Sequence, residues 1–205
     1  MTSTQQLRAT GTRRILRGTC CPSCGESIPA DAQWCGSCRF TGADSMKIFA
    51  GPPPPLMPLL DVADLWKESD VKKIEAAREK LRRRFPQFNF HVCTAVLPED
   101  KPLPLFGFWL LNACPFYVNE TAEDRSWTVL LLLNANNGQA AVVPGYAAEH
   151  WISDEDWMKI LALMAKPWKA GKTAEAVVRF FEGSATFLDH AWKIRGLRRS
   201  KKSRS

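Results

Sequence analysis

Four cysteines constrain this chain more than any other feature. Cys21, Cys24, Cys35 and Cys38 lie in CPSCGESIPADAQWCGSC as two C-x2-C pairs, with ten residues between the pairs. Two residues between cysteines let both thiolates of a tight turn point at one metal, and a short hairpin brings the second pair round to complete a tetrahedron. The pattern favours structural Zn²⁺ over two disulfides, an Fe–S centre or unligated thiols. Because four thiolates leave no position for water or substrate, such a site indicates how a small module folds and does not indicate a reaction.

The length and composition are those of a globular chain in a reducing compartment. The 205 residues are 45% hydrophobic and 24% charged, enough for one good-sized domain and a small one. We find neither a secretory signal in MTSTQQLRATGTRRILRG nor the ~20 consecutive apolar residues of a membrane-spanning helix. Seven cysteines, four of them in a metal pattern, predict a cytoplasmic location. Cys20 is a spare thiol or an alternative ligand, whereas Cys93 and Cys114 lie in apolar surroundings typical of small core residues.

The chain is expected to divide into five segments. A basic disordered arm (1–18) precedes the zinc ribbon (19–42), and a proline-rich linker (43–58) leads to an α/β domain (59–192). A basic disordered tail (193–205) ends the sequence. The linker contains GPPPPLMP, and four consecutive prolines hold an extended, fairly stiff spacer.

The positive charge is concentrated at the two ends of the chain. The formal net charge is +7, and the tail 193–205 has seven basic residues and no acidic one. Such a tail favours nucleic acid, an acidic partner or anionic lipid, and a purely solubilising role is an equal alternative. The cluster LRRRF (81–85) resembles a nucleic-acid patch, although a solvated helix face is the ordinary explanation.

Hydrophobic periodicity predicts a small α/β sandwich, in which a mixed sheet has helices on both faces. WTVLLLL (127–133) is apolar on both sides, as expected of a central strand, and QAAVV (139–143) is its hairpin partner across NANNG. FNFHVCTAVL (88–97) predicts another strand. Helices are expected from Ser69 or Asp70 to about Arg84, within 102–118, from Ser153 until Pro167 ends it, and from about Thr173.

This order of elements resembles the TPM-domain family, which includes a thylakoid-lumen acid phosphatase and a photosystem II repair protein. The resemblance covers about Leu60 to Trp192 and is clearest in SWTVLLLLNANNGQAAVVPGYAAEHWISDEDW and MAKPWKAGKTAEAV. The positions that match the family pattern are Leu130 to Leu133, Gly145, Glu149, Asp154, Pro167 and Gly171, with Asp61 in the opening segment. The family's G-x-G turn is reduced to GYAAE, with Ala147 in place of the second glycine, and no export signal or membrane anchor is evident.

Acidic residues provide the only other candidate chemistry. Asp61, Asp124, Glu149 and Asp154 could bind Ca²⁺ or Mg²⁺, and Glu149 and Asp154 could act as acid–base groups on a phosphomonoester. The alternative is that Asp154 favours a helix start and that the others are surface charges.

Three functions follow from these patterns. We expect a non-catalytic binding or assembly protein with a protein partner, in which the zinc ribbon is attached to a TPM-like domain. The alternatives are a metal-assisted phosphomonoesterase and a nucleic-acid-associated protein that acts through 193–205.

Overall fold

The computed structural model describes residues 8–9, 19–29, 32–49, 53–115 and 121–202. The strands are β1 (Arg8–Ala9), β2 (Thr19–Cys20), β3 (Ser27–Ile28), β4 (Leu59–Asp61), β5 (Asn89–Ala95), β6 (Thr128–Asn134) and β7 (Gln139–Pro144). The helices are α1 (Gly42–Ile48), α2 (Glu68–Arg84), α3 (Leu103–Ala113), α4 (Ala122–Ser126), α5 (Asp154–Lys169) and α6 (Thr173–Lys202). The predicted class, a mixed α/β fold with an N-terminal cysteine ribbon, is confirmed.

The main sheet is mixed and has the order β1-β7-β6-β5-β4. β4, β5 and β6 are parallel neighbours, whereas β6 and β7 form the predicted antiparallel hairpin. Every residue of β6 is buried, as its run of apolar residues on both faces predicts. The two-residue strand β1 pairs with β7, so residues of the expected disordered arm join the sheet edge; the remainder of that arm lies outside the described residues.

Helices cover both faces of this sheet. One face packs against α2, α5 and α6 through Phe90, Val92 and Leu131, and the other packs against α3 through Leu130 and Leu132. The connections β4–α2–β5 and β5–α3–β6 step across the sheet in the same direction, although their helices lie on opposite faces. The two crossovers therefore have opposite hands, and one of them departs from the usual right-handed rule.

Helix α3 lies unusually close to the sheet because of Gly107. A Cβ atom at this position would lie 2.5 Å from Leu132 Cδ1 and 2.6 Å from Val143 Cγ2. With no side chain at this point, the helix backbone approaches the strands directly. The rest of α3 is apolar on all sides, so its outward face also needs a cover.

The segment expected to be a linker is part of the folded body. Helix α1 occupies its first half, and Phe49, which ends α1, packs against α3 with ring-centroid distances of 5.3 Å to Phe106 and 5.4 Å to Trp109. Leu56 is fully buried, and its N–H donates to Pro115 O at 3.0 Å. Phe49 before the proline run and Leu56 within it therefore hold the described residues of 43–58 against α3 and the sheet, which the spacing of prolines alone does not indicate.

Two helix ends differ from their predictions. Pro167 lies inside α5, and the helix ends at Lys169 ahead of Gly171, whose φ of 73° suits a helix C-terminus. Burial of Pro167 and Trp168 offsets the lost backbone hydrogen bond. Helix α6 continues through Lys202, into the tail expected to be disordered, because extending a helix already anchored by packing needs no new nucleus.

Candidate metal centre

The two cysteine pairs form two turns with the same backbone hydrogen bonds. Cys21 N donates to Glu26 O at 2.7 Å and Cys35 N donates to Phe40 O at 2.9 Å, so each first cysteine bonds to the fifth residue after it. In return the carbonyls of Cys21 and Cys35 each accept the N–H four residues later, at 2.8 Å in both turns. The repeated pattern presents each pair of thiols on one side of a tight turn, as a metal site requires.

Both turns need a left-handed backbone directly after the second cysteine. Gly25 has φ of 80°, and Arg39 occupies the equivalent position with φ of 62°. Glycine adopts this conformation without penalty, whereas a residue with a Cβ atom does so at a cost of about 1–2 kcal/mol. The first turn therefore has the glycine that a tight metal-binding turn is expected to contain. The second turn has Arg39 in a strained conformation, which the spacing of the cysteines does not predict.

The four sulfur atoms lie at the separations that a zinc ion needs. Cys21 Sγ and Cys38 Sγ are 3.6 Å apart, Cys24 Sγ and Cys35 Sγ are 3.7 Å apart, and all four lie within 4.8 Å of one another. A Zn–S bond of ~2.3 Å in a tetrahedron places the sulfurs about 3.8 Å apart. The donor set and its size therefore fit zinc. The side chain of Cys20, the alternative ligand, lies outside the described part of the chain.

The thiols differ in their electrostatic surroundings. Burial raises the pKa of Cys21 to about 12, whereas a backbone hydrogen bond from Cys38 lowers the pKa of Cys35 to about 7. Four thiolates in contact repel one another, and a divalent cation is the charge that lets all of them ionise together. When bound, the zinc would cross-link the two turns, and these residues leave it no open position for a substrate.

The ribbon is docked onto the outward face of α3. Cys21 and Cys35 are buried in a small cluster with Phe40 and Leu105, while Cys24 and Cys38 stay exposed. The Phe40 ring meets the Phe108 ring edge-to-face, with centroids 6.2 Å apart. The ribbon and α1 thus provide the second cover that the apolar helix α3 requires. Sequence reasoning missed this contact, although Phe40 directly after the second turn was its one available indication.

Two of the candidate acids accept hydrogen bonds from nearby backbone N–H groups, and they lie far apart. Asp61 accepts hydrogen bonds from the N–H of Leu65 at 3.1 Å, the N–H of Trp66 at 3.0 Å and the hydroxyl of Thr94 at 2.5 Å. Asp124 forms a capping box with Thr121 at the start of α4. Thr94 stands near the end of β5, whereas the carbonyl of Asp124 accepts from Asn89 at its start. Five strand residues separate the two points by roughly 16 Å, so one ion does not bridge Asp61 and Asp124.

The other two candidate acids lie after the hairpin. Glu149 N donates to Gly145 O at 3.0 Å, and the side chain lines a solvent-open cleft of about 150 Å³ together with Arg125 and Tyr146. Asp154 is the first residue of α5, one position after the capping Ser153, where a carboxylate suits the helix dipole. Among the residues that the structure describes, only the cysteines form a group of three or more ligands close enough for one metal ion. A Ca²⁺ or Mg²⁺ site at the acids is therefore not supported.

Comparison with known proteins identifies the fold and no family. No family model matches the chain, and no curated protein is similar to it at a significant level. In the solved structures, the chain is similar to the N-terminal domain of a protein from P. gingivalis, determined in solution by NMR. The TM-score is 0.50 at 18% identity, and the match covers 74% of this chain and 93% of that domain. At this identity the similarity concerns the fold alone, and membership of the TPM-domain family stays a prediction.

No helix in the described ranges is long and apolar enough to cross a membrane.

Proposed function

We propose that this chain is a non-catalytic binding or assembly protein, in which a zinc ribbon fixed to a TPM-like α/β domain presents a surface to a protein partner. The observation that carries the proposal is the closed set of four thiols, with two buried against α3 and two at the surface. Such a centre stabilises the fold of the ribbon and leaves no open coordination position for a substrate.

The exposed side of the ribbon has the composition of a contact surface. Trp34, directly before Cys35, is half-exposed, and Met46 on α1 is exposed to a similar degree. Tryptophan and methionine are enriched at protein interfaces, where a large apolar side chain fills a pocket of the partner. Since the ribbon is anchored by Phe40 and Phe49, these exposed side chains are presented on a rigid support, which lowers the entropy cost of binding.

Affinity purification of the zinc-loaded full chain tests this surface. Wild type is compared with Trp34→Ala and with Trp192→Ala, a tryptophan of equal exposure at another place on the molecule. We expect a protein that binds wild type and Trp192→Ala in stoichiometric amount and is lost with Trp34→Ala. Equal recovery with wild type and both variants would place the contact elsewhere and contradict this role of the ribbon.

A hydrolysis assay tests the catalytic alternative directly. The full chain is incubated with a chromogenic phosphomonoester, with and without Ca²⁺ or Mg²⁺, beside a Glu149→Ala/Asp154→Ala double variant. We expect no turnover above that of the double variant, because the four candidate acids do not form a common ligand group. Metal-dependent turnover that disappears in the double variant would establish an enzyme at the cleft after the hairpin.

A further inference from the structure

Helices α2 and α6 run side by side in the same direction and bring two basic segments to one end of the molecule. The starts of the two helices line one groove, through Lys67, Ser69, Thr173 and Glu175. Arg84 lies sixteen residues after the start of α2, and Asp189 lies sixteen residues after the start of α6. These two side chains form an ion pair, with Arg84 Nη2 2.5 Å from Asp189 Oδ2. Because α2 ends at this ion pair, α6 extends beyond it by thirteen residues, or about 20 Å.

The projecting part of α6 is strongly and uniformly basic in sequence. Six of its ten residues from 193 to 202 are Lys or Arg, and none is acidic. The nearest acid on the helix, Asp189, is already paired with Arg84. Arg82 and Arg83, beside Arg84 at the end of α2, are largely exposed and share one counter-ion, Glu79, at 2.7 and 3.0 Å. The two helix ends together thus hold several more positive than negative charges.

An aromatic platform lies at the same end. Trp192, at the start of the basic stretch, stacks on Trp151 with ring centroids 5.0 Å apart and an interplanar angle of 21°. Behind it, Trp151 lies against Phe88 and Trp127, which connect the stack to the buried core. The Trp192 side chain is 51% exposed, so a large part of its surface remains open to solvent on a rigid aromatic support.

We propose that the C-terminal ends of α2 and α6 form a binding surface for single-stranded nucleic acid. Proteins that bind single strands combine a basic track for the phosphates with exposed aromatic rings on which bases stack. Here Trp192 is the stacking ring and Arg83 and Lys193 are the phosphate contacts, and the sequence of α6 continues with five further basic residues as far as Lys202. A duplex keeps its bases stacked inside the helix. Its phosphates can therefore contact the basic residues of this surface, but none of its bases can stack on Trp192.

Fluorescence anisotropy with the zinc-loaded full chain tests the proposal. The probes are 20-nucleotide oligo(U) RNA, oligo(dT) DNA and a 20-base-pair duplex, each titrated at several salt concentrations, beside vesicles containing phosphatidylserine. We expect both single strands to bind more tightly than the duplex, and the RNA and DNA arms identify the preferred sugar. Binding to vesicles without binding to either oligonucleotide would overturn the proposal in favour of a membrane surface.

Paired variants separate stacking from charge. Trp192→Leu is expected to weaken binding to single strands about 5- to 100-fold, whereas Trp192→Phe keeps a ring and stays near wild type. Val96→Ala, at an exposed apolar side chain directly after the opposite end of β5, is the control and is expected to bind as wild type. If Trp192→Leu also binds as wild type, or if duplex and single strands bind equally, the stacking role is refuted.

Changing the six basic residues of 193–202 to glutamine removes charge and keeps good helix formers. This variant is expected to bind at least ten-fold more weakly at low salt, and to flatten the slope of log K against log salt by up to about 4, or 0.7 per phosphate contact. Lys72→Gln/Lys73→Gln/Lys172→Gln, near the opposite ends of the same helices, is the control and is expected to keep the wild-type slope. An equal loss in both variants would overturn the assignment of the surface.

Discussion

A buried histidine predicts how the stability of this protein depends on pH. His91 lies in the middle of β5, where Nδ1 donates to the carbonyl of Met57 at 3.2 Å. A carbonyl only accepts, so this contact fixes the proton on Nδ1. Burial lowers the pKa of His91 from 6.5 to about 4, and the charge of Arg78 acts in the same direction.

The size of the effect follows from the two pKa values. Between pH 6.5 and 4 the unfolded chain binds a proton at His91 that the folded chain does not, so stability falls as the pH falls through this range. The loss is about 2 kcal/mol at pH 5 and approaches about 3 kcal/mol below pH 4, where both states are protonated and the loss stops growing. Above about pH 7.5 the histidine is largely neutral in both states and contributes little dependence on pH.

Urea unfolding of wild type and His91→Asn at pH 7.5, 6 and 5 measures the loss of stability that protonation of His91 causes. Asparagine can donate from a position close to Nδ1 and carries no titrating group, so the variant is less stable at pH 7.5 but loses less stability on acidification. We expect the difference in unfolding free energy between the two proteins to shrink by about 2 kcal/mol between pH 7.5 and 5. Protonation of the cysteine ligands is common to both proteins and cancels, and His190→Asn, on the exposed side of α6, is the control. Parallel loss of stability in wild type and His91→Asn would refute the reasoning.

Three further substitutions test the local geometry by thermal or chemical unfolding. Gly145→Ala would place its Cβ 2.6 Å from two backbone carbonyl oxygens, so we expect a loss of about 2–4 kcal/mol, while Gly36→Ala, with open space around it, is near neutral; equal effects would contradict the clash. Arg39→Gly relieves the left-handed backbone and is expected to stabilise the ribbon by about 0.5–1 kcal/mol, and a loss would show that the arginine side chain matters more than its φ. Asp61→Ala leaves two N–H groups and a hydroxyl without their acceptor and is expected to cost about 2–4 kcal/mol, and an unchanged midpoint would contradict its role in the backbone.

The parts of the fold that could be predicted from the sequence are those fixed by local chemistry. The two cysteine turns are specified by thiol spacing, β6 by apolar residues on both faces, and the start of α5 by the hydroxyl of Ser153. Each of these depends on residues within one turn or one strand of each other, so periodicity and capping rules are sufficient.

The features that sequence reasoning missed depend on contacts between distant segments. The proline run predicts a spacer, but the rings of Phe40 and Phe49 find partners on α3 more than 50 residues away and pull 43–58 onto the body. The sequence suggests a common site for the acids only through their shared chemistry, whereas the sheet places Asp61 and Asp124 near opposite ends of β5. Neither outcome is encoded in local spacing, because the first depends on ring contacts with α3 and the second on the order in which the strands pair.

The central claim is that four thiolates close the coordination shell of one structural zinc ion. Zinc K-edge X-ray absorption on the purified full chain, with metal content measured on the same sample, tests it most directly. We expect one zinc per chain bound by four sulfurs at ~2.3 Å, with no nitrogen or oxygen ligand. A shell that contains oxygen or nitrogen, or a folded ribbon that holds no metal, would contradict it.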